Sequence, residues 1–126
     1  MKRTVIQTDK APAAVGPYSQ AVVLGETVYV SGQLPLIPGT KSFPEGSIEA
    51  RTRQCMENLK AILEEAGSSL DKLAKVTIFL ENMDDFATVN EVYGSYFDGD
   101  FPARCAYQVG KLPLGADVEI DGIAAL

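Results

Sequence analysis

The stretch SIEARTRQCMENLKAILEEAGSSLDKLAKVTIFL, residues 47–80, places a helix and a strand in succession and decides the fold class. Ser47 is a residue type that caps helices, Glu49 suits the positive N-terminal end, and Gly67 is typical of a helix end. Between them, apolar residues recur at helical spacing, at Ile48, Cys55, Leu59, Ile62 and Ala66. We therefore expect the first helix between Ser47 and Gly67.

The last part of the stretch, Leu73–Leu80, alternates with a period of two, which predicts a strand. The two faces of this strand consist of Ala74, Val76, Ile78 and Leu80 on one side and Lys75, Thr77 and Phe79 on the other. Because the first set is wholly apolar, we expect that face to meet the helices.

Downstream, Asp84 is expected to cap a second helix that ends near Gly99. The apolar stripe of this helix consists of Phe86, Val89, Tyr93, Tyr96 and Phe97. Two more strands, about Arg104–Val109 and Val118–Ala124, flank a turn rich in glycine and proline.

Upstream, short apolar stretches at Val5, Ala21–Leu24 and Thr27–Ser31 predict an antiparallel unit, with Gly25 in a hairpin turn. Residues 32–46 are rich in proline and glycine, which favours an exposed loop and makes this segment the expected mobile part.

This order of elements predicts a single α+β domain over residues 1–126, in which two helices cover one face of a mixed six-stranded sheet. The other face would expose Phe79 and further apolar groups to water, so we expect oligomerisation to cover it. A two-fold dimer is the default for a homo-oligomer, and composition does not select a higher order.

Composition excludes several function classes. A net charge of −6 with scattered basic residues disfavours nucleic-acid binding, and the chain has no apolar run that fits a membrane helix or a signal peptide. The spacing of Cys55 and Cys105 fits neither a metal cage nor a disulfide framework, so a soluble cytoplasmic protein is expected. The absence of histidine excludes a Ser-His-Asp triad and His-bound zinc, and no metal site is expected.

Arg104 and a run of acidic residues are the first candidates for chemistry. Arg104 begins a predicted strand, where it either extends into solvent or binds a carboxylate through paired hydrogen bonds. Asp117, Glu119 and Asp121 are spaced by two, so their carboxylates are expected on one face of a strand. They form either a solvated surface or a site in which one carboxylate near Arg104 orients or deprotonates a water.

Three further residues are candidates for binding. Asn90 falls on the apolar stripe of the second helix, where its amide either satisfies backbone groups or shapes a ligand pocket. Tyr18 follows a rigid Gly-Pro turn and either packs or walls a small pocket. Cys105 points to the face opposite Arg104, and we expect a buried, inert thiol there.

Short segments in a fixed order along nearly the whole chain carry a family resemblance. They are Ala11-Pro12, Gly16-Pro17-Tyr18-Ser19-Gln20-Ala21, Ser31-Gly32-Gln33-Leu34-Pro35, Asn58-Leu59-Lys60, Ala66-Gly67-Ser68-Ser69-Leu70, Asp85 to Tyr93, Phe101-Pro102-Ala103-Arg104, Leu112-Pro113 and Val118-Glu119-Ile120. Together they resemble the Rid family of reactive intermediate deaminases, in its arginine-containing branch. The resemblance implies a chorismate-mutase-like fold and a homotrimer whose sheets form an inner barrel, with clefts between subunits.

The same resemblance implies an activity and its residues. The activity is cofactor-independent hydrolysis of reactive 2-enamino and 2-imino acids, such as 2-aminoacrylate, to 2-keto acids and ammonia. Arg104 would bind the substrate carboxylate, Glu119 would position the attacking water, and Tyr18 would close the pocket. The other substrate-binding residues that the resemblance implies are Gly32 and Cys105, through backbone groups, and Asn90.

Two other functions stay open from the sequence. The first is a non-catalytic protein that senses or stores a small carboxylate through the same arginine. The second is RNA cleavage, which some relatives suggest and which the acidic charge and the missing histidines fit least well.

Overall fold

The computed structural model describes residues 1–126. In chain order, its helices and strands are β1 (Thr4–Ile6), β2 (Ala21–Leu24), β3 (Thr27–Gln33), α1 (Ile48–Glu65), β4 (Leu73–Leu80), α2 (Phe86–Gly94), β5 (Ala103–Gln108) and β6 (Val118–Ala125). Single 3-10 turns occur at Leu70–Lys72, Met83–Asp85 and Pro113–Gly115.

The six strands form one mixed sheet in the order β1-β2-β3-β6-β4-β5. The β4–β5 pair is parallel and the other pairs are antiparallel. The hairpin between β2 and β3 turns at Gly25, whose φ of 63° lies in the left-handed region that glycine adopts without strain. The expected mixed six-stranded sheet is confirmed, and β5 forms one of its edges.

Both helices pack on the same side of this sheet. Fully buried residues of α1 (Leu59, Ile62), of α2 (Val89) and of the central strands (Ile78, Ile120) belong to one cluster of 19 buried apolar residues. The helices and the sheet therefore share one core, and the predicted α+β class is confirmed. None of the helices is long and apolar enough to cross a membrane.

The opposite face of the sheet carries partly exposed aromatic side chains. Tyr29 and Tyr107 are 43% and 48% exposed, respectively. Phe79 is half-buried, because the ring of Tyr107 packs edge-on against it at a centroid distance of 5.5 Å. The face that was expected to expose Phe79 thus carries two exposed tyrosines, and Phe79 itself is partly covered.

Local predictions differ from the structure at the start of β4 and at the ends of the two helices. Ala74 is exposed and Leu73 is buried in its place, because Ala74 is an extra residue in β4 where Leu73 pairs with Ala124 and Lys75 with Ile123. A bulge of this kind reverses the alternation at the start of the strand. The expected caps differ as well.

Ser47 occupies the N-cap position of α1, but its side chain makes no capping hydrogen bond. Asp84 does not cap the second helix, because the N-cap position of α2 is Asp85, which makes no capping hydrogen bond. Asp84 lies in the preceding 3-10 turn, where its N–H donates to the side-chain oxygen of Asn82 at 2.9 Å. The helix also ends at Gly94, before Gly99, where the Ser95 hydroxyl donates to the carbonyl of Val92 at 2.6 Å. Serine hydroxyls compete in this way with the helical backbone ladder.

Candidate active site

Arg104 lies on the helix-facing side of the edge strand β5. It pairs with Val76 of β4, which is fully buried against the helices. Its Nη1 donates to Oδ1 of Asn90 at 2.6 Å, and its guanidinium carbon lies 5.5 Å from the ring centre of Phe86 and 5.2 Å from that of Tyr93. The side chain is half-buried and does not extend freely into solvent.

All three groups that hold Arg104 come from one face of α2. Phe86, Asn90 and Tyr93 follow each other at spacings of four and three, which places them in a row on a helix. An amide oxygen and two ring faces attract a cation without carrying a formal charge. We call these three residues and Arg104 the arginine cluster, and its positive charge has no carboxylate partner within the chain, whose one salt bridge joins Arg51 and Asp117.

The arginine cluster opens into a cavity of about 420 Å³, lined also by Gly94, Phe101 and Pro102. Tyr93 is 97% buried, and its hydroxyl oxygen has no hydrogen-bond partner in the chain. Burial raises the pKa of Tyr93, while the nearby positive charge of Arg104 lowers it. The phenol therefore stays neutral beside the guanidinium.

Glu119 lies on the opposite side of the sheet. It stands between Val118 and Ile120, which are both fully buried under the helices, so its side chain projects from the other face. Burial raises the pKa of Glu119 above its ordinary value of 4.5, and the negative charge of Asp121 raises it further. A half-buried carboxylate with a raised pKa is a better proton acceptor than an exposed one.

The prediction that three carboxylates share one face of the strand is wrong for Asp117. This residue precedes β6, and its carboxylate binds Nε and Nη2 of Arg51 in α1 at 2.8 to 3.0 Å. Asp121 remains beside Glu119, where burial raises its pKa and a hydrogen bond from the Thr77 N–H opposes that rise. Two carboxylates therefore share the open face, and the third anchors a helix.

Gly32 lies directly against Glu119. The pairing of β3 with β6 shifts register between Val30 and Gln33, so β3 bulges at this glycine. A Cβ atom on Gly32 would lie 2.8 Å from the carboxyl carbon of Glu119, which is closer than real Cβ contacts allow. Only glycine lets the carboxylate lie against the backbone here.

Tyr18 lies in the same region as Gly32 and Glu119, and we call these three residues the glutamate cluster. They line a cavity of about 510 Å³. Tyr18 is 52% exposed, and its backbone N–H donates to the Gly16 carbonyl at 2.8 Å, which closes the Gly-Pro turn. Tyr18 therefore lies at this cavity, and its role in closing a pocket stays a prediction.

Residues that the sequence did not single out hold the loops around the glutamate cluster. Buried Gln20 accepts from the Thr8 N–H at 2.7 Å and donates to the carbonyl of Pro12 at 2.8 Å. Ser31 donates its hydroxyl to the Ser19 carbonyl at 2.6 Å. These bonds fix the chain on both sides of Tyr18.

Buried Asn58 of α1 donates to the carbonyls of Leu34 and Leu36 at 3.1 and 2.9 Å and accepts from Gln54 at 2.9 Å. The first part of the 32–46 loop is therefore fastened to the helix, and the expected mobility of the rest stays a prediction. A buried polar residue on the inner face of α1 was the available signal, because such a group must find partners.

Cys105 is exposed, so the expected buried thiol is wrong. It pairs with Thr77 on β4 and projects to the open face, and no strand follows β5 at this edge. Its side chain lines neither of the two cavities.

The arginine and glutamate clusters do not meet within one chain. Arg104 lies on the helix side of β5, whereas Glu119 lies on the open side of β6, and β4 separates the two strands. A small acid bound to Arg104 therefore cannot contact Glu119 of the same chain. No group of three or more His, Cys, Asp or Glu residues is arranged to hold a metal ion.

Comparison with known proteins places this site in a family. The family model described as Endoribonuclease L-PSP matches residues 8–126. A crystal structure from Yersinia pestis, described as a member of the conserved Rid protein family, is 45% identical, covers 99% of this chain and 100% of its own, and has a TM-score of 0.96. The chain belongs to the Rid family. The resemblance read from the sequence is confirmed.

Two other relatives bear on the chemistry of this Rid protein. The mouse protein named 2-iminobutanoate/2-iminopropanoate deaminase is 49% identical over 122 residues, which cover 97% of this chain and 90% of that protein. The crystal structure of Escherichia coli TdcF with bound serine is 41% identical, covers 98% of both chains and has a TM-score of 0.93. Every residue of the arginine and glutamate clusters lies within the span that the family model matches.

Proposed function

We propose that this Rid protein is a cytoplasmic, cofactor-independent deaminase that hydrolyses 2-enamino and 2-imino acids, such as 2-aminoacrylate, to 2-keto acids and ammonia. Its site is a cleft between two copies of the chain in a homotrimer with a chorismate-mutase-like fold. The observation that carries the proposal is the unpaired charge of Arg104, held by neutral groups at a sheet edge. The names of the mouse deaminase and of the serine-bound structure support it.

Arg104 binds the substrate carboxylate in this proposal. Its Nη1 is already engaged by Asn90, so the remaining N–H groups are left for two parallel hydrogen bonds to a carboxylate. The cluster contains no carboxylate, so the carboxylate of the ligand is the ion-pair partner of the guanidinium. Asn90 fixes the direction of the bound acid through the arginine.

Glu119 from a neighbouring copy activates the water. The substrate reacts as the protonated imine, which is already electrophilic at C2. Water oxygen bonds to C2 while Glu119 takes the proton, which gives a carbinolamine. Glu119 returns this proton to the nitrogen and then takes the hydroxyl proton as the C2 carbonyl forms and the C–N bond breaks, so that ammonia leaves and the 2-keto acid is the other product.

The remaining residues shape the cleft. Tyr18 closes it beside Glu119, and backbone groups of Gly32 and Cys105 hydrogen-bond the substrate. The close approach of Glu119 to Gly32 supports this arrangement, because a substrate near the carboxylate also lies near the exposed backbone of the bulge. The exposed tyrosines of the open face support assembly, because burial of that face between copies removes them from water.

The test couples the purified protein to a serine or threonine dehydratase that releases 2-aminoacrylate or its homologue, and follows keto-acid formation. We expect faster formation with the wild-type protein and with Arg53→Ala, whose arginine is exposed on α1. Arg104→Ala should give the uncatalysed rate with an unchanged Tm. Equal rates with and without the wild-type protein would contradict the proposal.

The alternative is a non-catalytic protein that binds a small carboxylate, and the serine in the E. coli structure favours it as a second candidate. In this alternative, the arginine cluster would bind the small carboxylate. Calorimetry with 2-ketobutyrate decides between the two, because binding without any acceleration of imine hydrolysis would support the alternative.

A further inference from the structure

Leu114 is the one non-glycine residue of the chain with a positive φ, at 59°. It lies in the turn Pro113–Gly115 between β5 and β6, where its backbone is not helical, and the residue is 69% exposed. Leucine in the left-handed region is strained, and an exposed leucine gains no burial in return. Strain of this kind persists at sites where the backbone conformation serves a function.

The side chain of Leu114 lines the cavity of the glutamate cluster. Leu36 and Val15, which is 82% exposed, line the same cavity. These three aliphatic side chains give an apolar wall to a space that also contains Glu119. The strained turn therefore places an apolar group beside the carboxylate.

The cavity is larger than the smallest substrates require. Its volume of about 510 Å³ lies within the range of about 300–1,000 Å³ that is typical of sites for drug-sized molecules. In the proposed trimer, the neighbouring copy that supplies Arg104 closes the open side of this space, and a three-carbon imino acid has no side chain that extends to the apolar wall. A longer aliphatic side chain on C2 would occupy the space and contact the apolar wall.

We propose that Leu114 is a specificity-determining residue that contacts the side chain of the substrate, so that the protein favours 2-imino acids with branched aliphatic side chains over 2-iminopropanoate. This inference rests on the deaminase function proposed above. The backbone conformation of the turn directs the side chain of Leu114 to the cavity. One methylene group in an apolar pocket already discriminates by at least about tenfold.

The test measures kcat/KM for two imines that an amino-acid oxidase generates in place, 2-iminopropanoate from alanine and 2-imino-4-methylpentanoate from leucine. The variants are Leu114→Gly, which removes the side chain and the strain, and Leu114→Met, which keeps an apolar contact. Ile37→Ala serves as the control, because Ile37 is also partly exposed but lies outside the cavity.

We expect Leu114→Gly to lower kcat/KM for the branched imine about tenfold and to change that for 2-iminopropanoate less than twofold. Leu114→Met should restore most of the preference, and Ile37→Ala should match the wild type. The Tm of Leu114→Gly should equal or exceed that of the wild type, because glycine relieves the positive φ.

Three results would overturn the inference. The first is an equal effect of Leu114→Gly on both imines, and the second is no effect on either. The third is loss of the oligomer in sedimentation velocity, which would make Leu114 an interface residue. If the wild-type protein accelerates neither imine, the deaminase proposal fails together with this one, whereas unchanged selectivity in an active Leu114→Gly variant overturns the role of Leu114 alone.

Discussion

The arginine and glutamate clusters differ in how they hold a charged side chain that has no oppositely charged partner in the chain. The arginine cluster is built on regular structure, with three neutral groups from one helix face around one strand residue. The glutamate cluster is assembled from a turn, a bulge and a strand that lie far apart in the sequence. In both, the charge is half-buried and has no oppositely charged partner in the chain, which is costly unless a ligand completes it.

The two clusters show that a charged side chain can be held in a fixed position without an oppositely charged partner. A carboxylate partner would hold Arg104 more strongly than a ring face does, as Asp117 holds Arg51. It would also compete with any acidic ligand for the guanidinium. Neutral groups hold the Arg104 side chain more weakly and leave the charge of its guanidinium for a ligand.

Apart from the loss of Arg104 itself, removing the carboxylate of the glutamate cluster should have the largest effect. We expect Glu119→Gln to lower kcat at least about 100-fold, because general base catalysis contributes that much or more. The amide keeps the size of the side chain against Gly32, so the fold should be retained. Steady-state kinetics of keto-acid formation measures the loss, and an unchanged kcat would exclude Glu119 as the base.

Asp121→Asn is the matched control, two residues away on the same face of β6. Its rate at neutral pH should stay close to that of the wild type, since Asp121 only tunes the neighbouring carboxylate. The wild-type rate should fall as the pH drops through the pKa of Glu119, which lies above 4.5. Without the negative charge of Asp121 this acid limb should move to lower pH, and an unmoved limb would show that another group controls it.

Weakening the arginine cluster should have a moderate effect. In Tyr93→Leu the ring face is lost, and about 1 kcal/mol of cation–π attraction corresponds to a KM about fivefold higher. Tyr93→Phe keeps the face and removes only a hydroxyl that has no partner, so its KM should stay within twofold of the wild-type value. If Tyr93→Phe is impaired as much as Tyr93→Leu, the ring does not position Arg104.

The smallest effect concerns stability. The pKa values of Glu119 and Asp121 are both raised in the folded state, so just above their ordinary values of 4.5 and 3.8 the folded chain binds more protons than the unfolded chain. Their contribution to the free energy of unfolding therefore falls as the pH rises through this window. The double variant Glu119→Gln, Asp121→Asn should gain a few degrees of Tm relative to the wild type between pH 4.5 and neutral pH. A constant difference would contradict the raised pKa values.

The fold was largely predictable because the elements follow strong local signals. Alternation over Leu73–Leu80 and helical spacing over residues 48–66 gave the correct strand and helix. The failures are at positions where a local pattern competes with tertiary structure. The bulge at Ala74 depends on pairing with β6, and the cap at Asn82 depends on a turn that precedes α2.

The candidate site was predictable in part. Asn90 stood out as a polar residue on an apolar stripe, and the rings at spacings of four and three around it could have indicated a cage for a cation. Sequence periodicity could not predict that Arg104 and Glu119 lie on opposite faces of the sheet, because this follows from the order of the strands. The burial of Cys105 was predicted wrongly for the same reason, since edge position is a property of the whole sheet.

The central claim is that Arg104 of one chain works with Glu119 of another. Arg104→Ala and Glu119→Gln, each inactive alone, are unfolded together in equal amounts and refolded as a mixture, and keto-acid formation is measured. In a closed cyclic assembly one cleft in four then combines an intact Arg104 with an intact Glu119, so we predict about a quarter of the wild-type activity. A mixture with no more activity than its separate components would contradict a site shared between chains.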